Sequence, residues 1–395
     1  MDKITFCIPS KNNLRYLKTC IPFIRKNAFR PDHDIIVFVD SDNDGTVEWL
    51  RENKDKYEVT YFVNPKLGKE LYGIGKAYDY CVDKSTTAAF MIFHADMILG
   101  KNADLQAWNQ LQKKTVVCST RIEPPLHPNA GEKILMDFGV WPEEFKEEAF
   151  DKFVTRENNS SIVTEGIFAP WMMYKEDFLT LGGHDPILKS AREDSDIFNR
   201  MLLAGFSFVQ PWASLVYHFT GRGGQFQHGS VGEKKDEEWQ QLMNNSTREF
   251  IRKWGSNVNH TSLMKPIVSP KYNIAYAVKS CNLKLLDTLE PWCDRIYIDD
   301  EMGVLFASYY EYEHKRTSYD LHKRVFTLGY QNPFDYDDIV VEIDGKAFTN
   351  QDYQALQILP EIMKEQGHNG KFKLGNLTVT ILRLVESQNS LIQVS

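Results

Sequence analysis

Short apolar runs at residues 4–8, 34–39, 59–63, 88–93 and 115–118 alternate with stretches of helical spacing. This alternation restricts the fold more than any other feature of the chain. Leu14, Leu17, Ile21 and Ile24 fall on one helical face, and a second helix is predicted after Asp44-Gly45-Thr46, with Asp44 as its N-cap. Strands separated by helices pair in parallel, because the crossover needs a dozen or more residues. An α/β fold with a largely parallel sheet is therefore expected. Ligands of such open sheets gather beyond the carboxyl ends of the strands. Pro9-Ser10, Asp40-Ser41-Asp42, Asn64-Pro65 and His94-Ala95-Asp96 all fall there, so four strand ends are predicted to share one crevice.

A chain of 395 residues exceeds the usual single core, so two domains are expected. The two prolines of residues 265–270 mark a linker, which divides the chain into domains 1–261 and 262–395. In the second domain, 272–278, 295–298, 339–343 and 377–384 read as strands and 353–365 as a helix. Trp292, Tyr309, Tyr310 and Tyr312 there are assigned to core or interface, with stacking on a ligand ring as the other option. The net charge of -8 excludes a general nucleic-acid binder. The six cysteines form no C-x-x-C pair, and Cys7 and Cys81 sit in apolar runs typical of reduced core thiols. No leader opens the chain and no stretch is long enough to span a bilayer, so a cytoplasmic setting is expected.

The run Ala88-Ala89-Phe90-Met91-Ile92-Phe93 suits a buried strand and delivers His94 and Asp96 at its end. A carboxylate at a sheet edge can hold a hard divalent cation, and the cation can neutralise phosphate oxygens. The glycines of Gly73-Ile74-Gly75 allow close backbone approach, while Lys69 and Lys76 can offset phosphate charge or simply face solvent. Glu193-Asp194-Ser195-Asp196 opens a helix carrying Ile197, Met201 and Leu202, where the dipole favours acids.

Read together, Cys7-Ile8-Pro9-Ser10-Lys11-Asn12-Asn13, Val39 to Thr46, His94-Ala95-Asp96, Leu181-Gly182-Gly183-His184-Asp185 and Glu193-Asp194 resemble the motifs of family 2 glycosyltransferases. The resemblance runs from residue 4 to about 255. It implies a GT-A type fold: an α/β, nucleotide-binding, doubly wound mixed sheet, followed here by a smaller α/β or α+β C-terminal domain. It implies that Pro9 and Ser10 line the nucleotide pocket and that Asp40 or Asp42 accepts a hydrogen bond from the donor's base. Lys69, Lys76 and Ala95 are placed beside the nucleotide, and Arg222 against its diphosphate. Asp96 is the implied metal ligand, joined by His218 and by His94, which stands where the family most often has an Asp. Asp194, with Glu193 second, is the implied general base.

The implied reaction is inverting transfer of one sugar from a nucleoside-diphosphate sugar to the hydroxyl of a glycan or other acceptor, assisted by Mn2+ or Mg2+. The alternatives are a sugar-phosphate nucleotidyltransferase and a noncatalytic nucleotide- or carbohydrate-binding protein. Nucleotidyltransferases of that type resemble a different opening, with a Gly-rich, Arg-containing loop after the first strand. This chain has Ser10-Lys11-Asn12-Asn13 there.

Overall fold

The computed structural model describes residues 1–127, 131–220 and 237–394. They divide into two compact units, one of residues 1–242, 260–267 and 394, the other of 243–259 and 268–393. The stretch 243–259 thus groups with the second unit and 260–267 with the first.

The first unit begins with β1 (Thr5–Lys11), α1 (Leu14–Asn27), β2 (Asp34–Ser41), α2 (Thr46–Tyr57), β3 (Val59–Val63), α3 (Ile74–Lys84) and β4 (Ala89–Ile92). These strands pair in parallel in the order β3-β2-β1-β4. The order reverses between β1 and β4, and a ligand crevice opens at such a switch point. The side chains of β1, β2 and β4 are buried almost without interruption, from Ile4 through Ile8, Ile35 through Val39 and Ala89 through Ile92, as strands covered on both faces require.

Beyond β4 the chain adds β5 (Met97–Leu99), α4 (Ala103–Trp108), β6 (Thr115–Cys118), β7 (Thr120–Glu123), β8 (Lys133–Leu135), α5 (Glu147–Glu157), β9 (Val163–Thr164) and β10 (Trp171–Tyr174). Then come α6 (Lys175–Thr180), α7 (Glu193–Leu203), β11 (Ser207–Pro211), β12 (Leu215–His218) and α8 (Glu237–Trp254). β10 enters antiparallel between β4 and β6, which makes the main eight-stranded sheet mixed. Pro142–Glu144 forms a separate 3-10 turn before α5. A second sheet, β5-β12-β7-β8, carries an aromatic cluster that includes Tyr16, Phe138, Phe150 and Tyr217.

The second unit carries β13 (Ile274–Lys279), α9 (Leu283–Leu289), β14 (Arg295–Ile298), α10 (Val304–Glu313), β15 (Val325–Thr327), β16 (Ile339–Asp344), α11 (Asn350–Gln357), α12 (Leu359–Gln366), β17 (Gly370–Leu374) and β18 (Leu377–Ile381). Its sheet order is β15-β14-β13-β16-β18-β17, with the first four strands parallel. Where one helix was expected at 353–365 there are two. Pro360 has no N–H to donate and sits in the first turn of α12, so Ile358 ends one helix and caps the next. Tyr276, Val278, Ile296, Val341 and Val379 point to one face and share a core with Leu286 of α9, Tyr309 of α10, Leu356 of α11 and Met363 of α12. Trp292 and Tyr309 are buried in that core, whereas Tyr312 is exposed. The fold is α/β with a mixed, parallel-rich sheet followed by an extra sheet-bearing C-terminal unit. Among the described residues no helix is long and apolar enough to cross a membrane.

Candidate functional site

A cavity of about 280 Å³ opens at the carboxyl ends of β1, β2 and β4. Pro9, Ser10 and Lys11 form the β1 side, Asp40 the β2 side, and His94, Ala95 and Asp96 the β4 side. The reason is topological: each strand delivers its last residues at the same edge, and the order reverses there. Gly73, Ile74 and Ala77 from the start of α3, with Lys189, Ser190, Trp239 and Leu242, complete the wall.

His218 joins from the second sheet. β12 runs antiparallel to β5 with His218 opposite Met97, so its ring arrives beside Asp96. Its Nε2 lies 3.4 Å from Asp96 Oδ2, and Nδ1 of His94 lies 4.0 Å from Asp96 Oδ1. One ligand atom from each of His94, Asp96 and His218 falls within 4.8 Å of the others. Glu123, at the end of β7, meets His218 Nδ1 at 2.9 Å and so directs the other nitrogen toward Asp96. Arg121 and Lys133 hold Glu123 in turn, at 2.9 and 2.7 Å.

These neighbours set the charges. Burial pushes the His94 imidazolium down to about 4, against the pull of Asp96. Burial acts the same way on His218, but Asp96 and Glu123 outweigh it and lift the ring to about 9. Burial would raise Glu123, and the His218, Arg121 and Lys133 partners instead hold it far below the carboxylate range. Two imidazoles and a carboxylate thus converge on one point with opposite protonation preferences.

Asp40 and Asp42 separate clearly. Asp40 is on the cavity wall, and its carboxylate accepts from the backbone N–H of Tyr72 and Gly73 and from Asn64 Nδ2, at 2.6, 3.1 and 2.9 Å. Asp42 does not reach the cavity wall. Its oxygens accept from the N–H groups of Gly45, Thr46 and Val47 and cap α2, which draws its pKa down against the effect of burial. Asp44 adds the Thr46 hydroxyl and N–H.

Lys69 and Lys76 are exposed and do not line the cavity; Lys11 and Lys189 do. Lys76 lies on the outer side of α3, and Lys69 lies within the solvent-facing turn in which Lys66 pairs with Glu70. The glycines of this stretch do bring backbones close, but to protein: a Cβ at Gly73 would stand 2.7 Å from Lys189 O, and one at Gly75 would stand 2.8 Å from His184 Cβ and 3.4 Å from Glu193 Cβ. This approach holds the start of α3 against residues 184–193. Arg222 lies outside the described residues.

The acidic start of α7 divides its roles. Asp196 is fully buried and ion-paired with Arg200 at 2.8 Å, and Arg200 also donates to Leu181 O and Gly183 O. Asp194 is half-buried and accepts from Ser195 N–H and Oγ. Burial, followed by the Asp194 charge, pushes Glu193 up to about 8. Ser10 Oγ, Tyr78 Oη and Glu193 Oε2 are among eleven buried side-chain polar atoms without a hydrogen-bond partner among the described residues. The Tyr78 ring stacks on His94 at 6.3 Å and lies 5.9 Å from His184. Burial and the nearby charges of Glu193 and Asp96 raise its phenol. Buried polar groups normally find partners, so these three have hydrogen-bonding capacity left over.

A family model described as Glycosyl transferase family 2 matches residues 5–179. That stretch is similar in sequence to family 2 glycosyltransferases. The matched residues include Pro9, Ser10, Asp40, His94, Ala95 and Asp96, and stop before Glu193, Asp194 and His218. Solved structures similar to the chain include a GalNAc-T7 with UDP, GalNAc and Mn2+, at 13% identity and a TM-score of 0.45, covering 64% of this chain and 48% of that one. Another is the mannosyltransferase PcManGT from Pyrobaculum calidifontis in complex with GDP-Man and Mn2+, at 15% identity and a TM-score of 0.40, covering 56% and 58%. The chain spans about half the length of the first and less than two-thirds of the second. No curated protein matches the chain.

Proposed function

We propose that this chain transfers one sugar from a nucleoside-diphosphate sugar to an acceptor hydroxyl, with inversion and with the help of a divalent cation. The observation that carries the reading is the convergence of His94, Asp96 and His218 at a cavity walled by Pro9, Ser10 and Asp40. The donor set fits a metal: two imidazole nitrogens and one carboxylate oxygen suit Mn2+ better than Mg2+, which prefers oxygen throughout. Bound there, the cation supplies charge neutralisation for the diphosphate leaving group.

The chain's own groups do the rest. Ser10 Oγ, buried without a partner, has a hydrogen bond to give to the nucleotide. Asp40 fixes the Tyr72 and Gly73 amides and so shapes the wall that the base meets. A sugar hydroxyl is a poor nucleophile until its proton is leaving, and a positioned base contributes about 10²- to 10⁴-fold. The Glu193–Asp194 pair takes that proton, because Glu193 near 8 sits close to operating pH and has an unpartnered oxygen. The six unpaired thiols support a reducing, cytoplasmic setting.

The test is transfer by the purified chain from a panel of nucleotide sugars, with the anomeric configuration of the product read by proton NMR. Inversion with loss of turnover in Asp96→Ala and in Glu193→Gln/Asp194→Asn supports the reading. Retention of configuration, or full transfer by Asp96→Ala, defeats it.

A further inference from the structure

The second unit leaves one face of its sheet without helices. From β13 the chain moves outward through α9, β14, α10 and β15, and both helices share the core on one face. The return from β15 to β16 crosses back over β14 and β13, and a right-handed crossover must then run over the opposite face. No α-helix occupies that return. Residues 328–338 run there instead, with a single 3-10 turn at Pro333–Asp335. Asp337 anchors the strap to the open face through Arg295 and the Tyr297 hydroxyl, at 2.7 and 2.9 Å.

Between strap and sheet lies a cavity of about 630 Å³, within the ordinary range for small-molecule sites. Its floor includes one cross-strand row, Glu342, Thr378 and Lys373, given by the register of β16, β18 and β17. Its rim carries Tyr330, Phe334 and Tyr336, which are 78%, 38% and 59% exposed. Three large rings held at one cavity mouth are an unusual expense of apolar surface in water.

The chemistry selects the ligand. The lining charges nearly cancel, Lys279 and Lys373 against Asp335, Glu342 and Asp344, so no field draws in a phosphate or a polyanion. The polar floor, in which Lys373 bonds Thr378 Oγ1 at 2.7 Å and Glu342 accepts from Lys371 at 2.9 Å, does not suit a lipid or an apolar peptide. A molecule with an apolar C–H face for the rings and neutral hydroxyls for the floor matches both surfaces. We infer that the strap and open sheet face of the second unit, with Tyr330 and Tyr336 as stacking platforms over Glu342, Thr378 and Lys373, bind a neutral oligosaccharide. That this glycan is the acceptor rests on the glycosyl-transfer reading; that it binds does not.

The experiment is full-length protein on an array of immobilised neutral glucans, mannans, galactans and chitin oligomers beside heparin and hyaluronan, with nucleotide-sugar hydrolysis measured in parallel. Binding of a neutral glycan that weakens at least about tenfold in Tyr330→Ala/Tyr336→Ala, and is retained by Tyr330→Phe/Tyr336→Phe, is expected. Both tyrosines are exposed, so the thermal midpoint and donor hydrolysis should stay unchanged. No neutral glycan bound, only acidic glycans bound, or equal binding by the alanine variant overturns the inference, even when hydrolysis is intact. Glycan binding lost in the alanine variant upholds the inference even when no donor is hydrolysed, and then it is the proposed function that falls.

Discussion

Replacing Glu123 by Gln should weaken Mn2+ binding without touching any of the three groups proposed to hold it. Glu123 reaches the site only through His218, whose Nδ1 it meets at 2.9 Å. The glutamine keeps the size and an accepting oxygen but loses the charge that fixes and strengthens the imidazole. Loss of such a supporting carboxylate costs about 10- to 100-fold in affinity, or about 1.4–2.8 kcal/mol. The same substitution breaks a buried charge network, which costs about 3–5 kcal/mol of stability. The lower end is expected, since Arg121 keeps Glu132 at 3.0 Å. Glu132→Gln separates the two effects, because Glu132 shares the network through Arg121 and Lys133 but makes no hydrogen bond or ion pair with His218. The assay is titration of metal-free protein with Mn2+ followed by the EPR signal of the free ion, beside urea unfolding. Both variants should lose stability, and only Glu123→Gln should lose affinity. Equal Mn2+ dissociation constants for Glu123→Gln and the unmodified chain, or equal losses in both variants, would refute the reasoning.

Other outcomes follow from the same geometry. Glu290 is fully buried; burial would raise it, but Arg324 and Arg252 hold it down to about 2. A depressed carboxylate adds stability above its unfolded value near 4.5, so about 3 kcal/mol should vanish as pH falls from there toward 2, and a urea series from pH 6 to pH 2 should lose that slope in Glu290→Gln. Asp42→Ala should cost about 1 kcal/mol by uncapping α2 while leaving nucleotide affinity unchanged, whereas Asp40→Asn should weaken nucleoside-diphosphate binding by calorimetry. Glu193 is raised, so the folded state holds its proton between the ordinary carboxylate range and about 8; stability should fall as pH rises through that window, and Glu193→Gln should flatten the fall in urea midpoints between pH 5 and pH 9.

What could be read from the sequence was what strand ends and helix starts dictate locally. Pro9, Ser10, Asp40, Ala95 and Asp96 meet because each lies at or just beyond the end of one of the parallel strands β1, β2 and β4, and that alternation is visible in the order of residues. The aspartates 40 and 42 could not be told apart, since the choice depends on which one finds the Tyr72 and Gly73 amides some thirty residues away. Lys189 and Tyr78 were missed for a related reason: the loop before α7 folds onto the start of α3 only because Gly73 and Gly75 permit it. Glu123 carries a faint signal, an acid ending the short strand Thr120–Glu123, but its partner His218 is 95 residues on. The split of the 353–365 helix is legible in Pro360, which belongs in a helix's first turn and not in its interior. The empty sheet face of the second unit was not legible, because it follows from strand order, which no local pattern encodes.

The central claim is that the β1, β2 and β4 strand ends, with His218, form one donor site. Release of nucleoside diphosphate from a panel of nucleotide sugars, with and without Mn2+, in the unmodified chain and in Asp96→Ala, tests it most directly. Mn2+-dependent release that falls at least about a hundredfold in Asp96→Ala is the predicted result. No release from any donor, or release by Asp96→Ala at the unmodified rate, would contradict it.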